Sequence, residues 1–194
     1  MKLKIPRQSE LIKLQRNAAS VTTTLTGTGT QRRLLIYDGA RHQNADHVFR
    51  LASAGAALEL LIVVFGRARD NFRINLEVQH LAPRTRSNIA LCAVLFENSS
   101  VDFRGKVAVP GVAQQSETFL RCDSVLLSPQ AHSITIPSLE IIADDVKAGH
   151  AASIGHLDDD KLFYFQTRGF SPDKASMLLL QSLIHDSLKV FSGD

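Results

Sequence analysis

Between residues 20 and 155 the chain keeps producing short runs of apolar and β-branched residues, cut by Gly, Pro, Asn or Ser. The strictest is 72–79. Phe72, Ile74, Leu76 and Val78 alternate with Arg73, Asn75, Glu77 and Gln79, a period of two that predicts a half-buried strand. Thr22 to Thr26 is Thr-rich and leads into Gly27 and Gly29. Further runs lie at 34–37, 48–49, 60–65, 89–96, 107–109, 124–127, 134–136 and 139–143. Segment 89–96 is apolar on both parities, so both of its faces are expected to be covered. Many short strands with turn residues between them fit a sandwich, a barrel or a β-helix. Periodicity does not separate the three, and no clean sequence repeat is visible.

After Gly155 the pattern changes. Asp158 is placed to cap a helix, with acidic residues in its first turn and Gly169 as its stop. Ser171-Pro172-Asp173 reads as a second start. Met177, Leu180, Ile184, Leu188 and Phe191 then recur at helical spacing. The two segments predict a helical hairpin. Residues 9–16 predict one more short helix.

A chain of 194 residues is long enough for one domain with a real core. Its net charge of +3 comes without a long basic block, which argues against nucleic acid as partner. Cys92 and Cys122 form no CxxC pair, which excludes a self-contained zinc ribbon or disulfide framework. The N-terminal residues lack the apolar core of a signal peptide. The longest strongly apolar run, 60–65, is far short of the roughly 20 residues of a membrane span. A cytoplasmic protein without a membrane segment is expected.

Several stretches are more specific. Residues 122–128, Cys-Asp-Ser-Val-Leu-Leu-Ser, resemble a cysteine-bearing element of SufB. Residues 139–147, Leu-Glu-Ile-Ile-Ala-Asp-Asp-Val-Lys, followed by His150, resemble the corresponding SufD segment. Residues 159–169 resemble the element that both share, residues 80–87 a turn and 103–107 a strand of the same family. These elements lie in order between about residues 72 and 190, so the chain is similar to the SufB/SufD proteins of iron–sulfur cluster assembly. The resemblance implies a mainly β fold: a right-handed parallel β-helix core domain over 1–156 and a C-terminal α-helical hairpin over 157–194. It implies a non-catalytic scaffold or accessory subunit handling a transient iron–sulfur cluster. The implied partners are a second SufB/SufD-type chain, or a second copy in a homodimer, and a SufC-type ABC ATPase docked on the helical tail. No nucleic acid or membrane is implied.

Cys122 sits where SufB-type chains carry a cysteine implicated in cluster building, and thiolates suit such clusters. The alternative is a small buried hydrophobe. His150 matches a histidine of SufD-type chains, and imidazole replaces thiolate in some iron–sulfur centres; the alternative is a hydrogen-bonded structural histidine. His132 is a secondary metal-ligand candidate, with a backbone-bonded turn histidine as the alternative. Two departures stand out: Ala151 where SufB-type chains have glutamate, and Ala148 where SufD-type chains often have cysteine. A two-fold homodimer would present Cys122 and His150 twice, giving four ligands. Cys92 and His80 read as structural, Asp144-Asp145 as a turn or rim feature, and Gly27 to Thr30 as no nucleotide site, for want of a lysine. Two competing readings remain: an interaction protein of this fold that has lost cluster binding, and a carbohydrate-active β-helix, which would want paired carboxylates across a cleft.

Overall fold

The computed structural model describes residues 12–39 and 41–191. Eleven strands come first: β1 (Ile12–Arg16), β2 (Val21–Leu25), β3 (Thr30–Asp38), β4 (Gln43–Leu51), β5 (Ala57–Gly66), β6 (Asn71–His80), β7 (Arg86–Leu95), β8 (Ser100–Val109), β9 (Ser116–Leu126), β10 (His132–Ile141) and β11 (Val146–Gly155). Two helices, α1 (Asp159–Thr167) and α2 (Pro172–Ser187), and a 3₁₀ turn (Leu188–Phe191) follow.

The odd-numbered strands form one parallel sheet in the order β1-β3-β5-β7-β9-β11, and the even-numbered strands form another, β10-β8-β6-β4-β2. Each turn of the chain therefore adds one strand to each sheet, which is a parallel β-helix. The repeat invisible in the letters is plain in the contacts. Asn75 hydrogen-bonds Asp46 across 29 residues, Lys147 bonds Glu117 across 30, and Ser87 bonds Thr118 across 31. What repeats is the alternation of inward and outward side chains, not the residue identities.

Inward positions stack turn upon turn into one core, with Leu60, Ile62, Ile74, Leu76, Ile89, Leu91, Phe103 and Leu120 all inside it. Each such side chain stabilises the fold by roughly 1.5–3 kcal/mol on full burial. Gly105 belongs to this inward row, because a Cβ there would lie 2.8 Å from the Phe103 ring and 2.9 Å from Leu120. The expectation that 89–96 is covered on both faces is met. Ile89 and Leu91 point into the solenoid, while Ala90 on the outer face packs with Leu61, Val63, Leu188, Val190 and Phe191.

The helical tail follows its predicted punctuation. Asp158 caps α1 by accepting from the Lys161 N–H, Ser171 caps α2 by accepting from Lys174, and Gly169 ends α1 with φ of +84°. The helices are used unequally. Leu180 and Ile184 of α2 are buried, whereas α1 buries no residue fully and leaves Phe163 and Tyr164 exposed.

Two segments differ from expectation. The helix predicted at 9–16 is not formed over the residues described: Ile12–Arg16 is strand β1, paired in parallel with β3, and 9–11 lie outside the described residues. Five residues beside an existing sheet edge gain a hydrogen-bonded ladder that a single isolated helical turn lacks. The runs 134–136 and 139–143, separated by Pro137, join into one strand, β10. Proline is tolerated there because β10 is an edge strand. His132 and Ile142 both donate their N–H groups toward the β8 side, so the odd positions between them, Pro137 included, face the free edge.

Candidate functional site

The last turn, made by β10 and β11, closes one end of the solenoid, and no further turn covers it among the described residues. β11 pairs with β9 so that His150 aligns with Leu120 and Ala152 with Cys122. Leu120 and Cys122 are inward positions, so His150 and Ala152 share that face. Strand spacing and rise put the Cα atoms of His150 and Cys122 about 8 Å apart. The environments of the two residues nevertheless differ. Cys122 is fully buried in the core, and burial pushes its thiol up to about 12. His150 is exposed, because nothing stacks above the final turn. The same open end exposes Ile154 and Ile141.

His132 is not brought to this face. It begins β10 in the other sheet, aligned with Ser100, on the parity opposite to the buried Ser133, and is exposed. Among the described residues no three or more His, Cys, Asp or Glu side chains are grouped to hold a metal ion. Cys122 and His150 thus share one face of the paired strands β9 and β11 at one end of the fold.

Cys92 lies on the outer face of β7, 0% exposed, near Ser187 of α2, and burial raises its thiol to about 11. His80 is a buried structural histidine. Its Nδ1 lies 2.7 Å from Thr85 Oγ1 and its Nε2 2.9 Å from Ser87 Oγ. Thr85 continues to Ser116 at 2.8 Å and Ser87 to Thr118 at 2.6 Å. This hydroxyl ladder crosses successive turns and ends at Thr118, in register with Ala148 of the last turn. Burial lowers the His80 pKa to about 4, so the ring is neutral. His80 is structural, as its sequence context predicts, but the ladder is not legible in the sequence, because its inter-turn hydroxyl pairs are 31 residues apart. Asp144 and Asp145 form the exposed turn between β10 and β11. No helix among the described residues is long and apolar enough to cross a membrane.

A family model for the SUF system FeS cluster assembly, SufBD core domain, matches residues 11–183. The chain belongs to the SufB/SufD family. This SufBD chain is 30% identical over 131 residues to an iron–sulfur cluster assembly SufBD family protein of Mycobacterium tuberculosis, covering 68% of the chain and 16% of that relative. It is 27% identical over 135 residues to the iron–sulfur cluster assembly protein SufB of Bacillus subtilis, covering 70% of the chain and 28% of SufB. It is 39% identical over 100 residues to Protein ABCI7, chloroplastic, of Arabidopsis thaliana, covering 52% and 21%. The SufBD chain thus spans less than a third of the length of these curated relatives.

Proposed function

We propose that this chain is a non-catalytic scaffold or accessory subunit of a SUF-type iron–sulfur cluster assembly complex, working through the open end of its solenoid. The observation that carries the reading is the register of the last turn: exposed His150 and buried Cys122 on one face of adjacent strands. The cluster is cargo here. Two ligands per chain fall short of the usual four, so the remainder comes from a SufB/SufD-type chain or from a second copy related by a two-fold axis. β11 offers the pairing edge, and Ile154 and Ile141 offer apolar area beside it. A thiol held protonated by burial ligates iron only once the turn above it opens. The exposed Phe163 and Tyr164 of α1 and Met177 of α2 are the surface on which a SufC-type ATPase would dock, as a helix face offered to a groove.

Anaerobic reconstitution with iron and sulfide tests the reading. The parent should gain absorbance above about 400 nm, where thiolate-to-iron bands fall, and Cys122→Ala and His150→Ala should each lose most of it. Equal iron and sulfide in parent and Cys122→Ala would sink the cluster role. The full burial of Cys122 favours a second reading, an interaction protein of this family without cluster binding. A colourless reconstituted parent that still pairs with a SufB-type chain would establish that one.

A further inference from the structure

The outer face of the six-stranded sheet is only partly covered by α2. Where β3, β5 and β7 end, a cleft of about 450 Å³ opens between α2 and the sheet. Its floor is apolar, made by Ile36, Phe65, Val94 and Phe96 of the sheet side and Leu180 of α2. Its volume falls within the roughly 300–1,000 Å³ of small-molecule sites, which combine apolar walls with a few placed polar groups.

The rim supplies those groups. Arg67 stands at the cleft with its guanidinium 5.8 Å from the centre of the Phe96 ring. It makes no ion pair among the described residues. The nearby Asp70 carboxylate accepts the Arg67 backbone N–H at 3.1 Å instead. Arg16, also on the rim, is 3.6 Å from Asp38, so its charge is largely matched. The cleft therefore offers an apolar floor and one guanidinium, Arg67, outside every ion pair among the described residues, with the Asp70 and Glu97 carboxylates turned to the backbone N–H groups of Arg67 and Ala68. Ile12 lies at the far end of β1 and Val190 beside Asn88, whereas Gly39, which borders the undescribed residue 40, lines the cleft.

We propose that this cleft binds an amphipathic monocarboxylate, with its hydrocarbon body on the Phe65–Phe96–Leu180 floor and its carboxylate on Arg67. A compact inorganic anion would leave the floor uncovered. A multiply charged phosphoester would meet, among the described residues, only one cation of the cleft outside an ion pair. A single charge on an apolar body satisfies both halves of the site.

Octanoate, its neutral isostere octanamide, acetate and inorganic phosphate serve as probes for calorimetric titration and thermal melting of the full chain. Octanoate should bind and raise the melting midpoint, while the other three should bind at least about tenfold more weakly or not at all. Arg67→Met, at an exposed position, should weaken octanoate about tenfold while the circular dichroism spectrum stays unchanged. Leu180→Phe, which fills the cleft, should abolish binding; if it fails to fold, Phe65→Trp, at a partly exposed lining position, is the second filling variant. Octanamide binding as tightly as octanoate, acetate or phosphate reproducing its effect, Arg67→Met binding like the parent, or no octanoate binding would each overturn the proposal. None of these measurements depends on cluster assembly.

Discussion

Ala152 stands directly beside Cys122 across the β9–β11 ladder, so the smallest chiral side chain is what lies in register above the candidate thiol. Burial by the surrounding core raises that thiol to about 12, and Cys92 is raised to about 11 under α2. In the native chain at pH 7.5, Cys122 should react with a thiol reagent at least about a thousandfold, and Cys92 at least about a hundredfold, more slowly than free cysteine, since the thiolate is the reactive form. Both should react fully in denaturant. Fast native labelling of Cys122 would show that the last turn opens unaided.

The hydroxyl ladder makes stability depend on pH. The His80 pKa is lowered from 6.5 to about 4 by burial, so the native state favours the neutral ring. Its contribution is complete above pH 6.5 and is lost as pH falls toward 4, amounting to about 3 kcal/mol at most. Urea unfolding between pH 7 and pH 4 should show this decline, and His80→Asn should flatten it. An unchanged slope in the variant would assign the acid sensitivity to other groups, such as His47, whose pKa is also lowered by burial.

Gly105 has no room for a methyl group against Phe103 and Leu120. Gly105→Ala should destabilise the chain by about 1–3 kcal/mol through overpacking. Gly155→Ala, with nothing within 4 Å of the added carbon, should change stability far less. Denaturant midpoints of the two variants, measured side by side, decide this.

The tail is part of the fold. Ile184 of α2 is 3% exposed, and the turn after it packs Leu188, Val190 and Phe191 over Leu61 and Val63. Ile184→Ala should cost about 2–5 kcal/mol. Deleting 172–194 should uncover the outer faces of β5 and β7 and promote aggregation, which light scattering would report. A soluble, equally stable truncated chain would contradict this packing.

Much of this architecture is legible in the letters. The alternation at 72–79 and the two-faced run at 89–96 give strands and their covering, and Asp158, Gly169 and Ser171-Pro172 give the helix ends, because each signal is local. The misread segments are short ones decided by neighbours: Ile12–Arg16 becomes a strand only because β3 lies beside it, and Pro137 interrupts nothing because β10 is at an edge. The face and burial of Cys122 and His150 depend on a register of 30 residues, as in the Lys147–Glu117 bond, which no letter pattern exposes. The cleft at Arg67 gathers residues from four strands and α2, for the same reason.

Pro137 carries a consequence for assembly. A solenoid with a free strand edge at its end invites copy-on-copy stacking into filaments. The missing donor at 137 breaks the row of hydrogen bonds that an incoming strand would need along β10, while β11 beside it contains no proline. The end is thereby lopsided: receptive on one sheet and guarded on the other. Such an end favours a single mate arriving in one orientation over indefinite fibre growth.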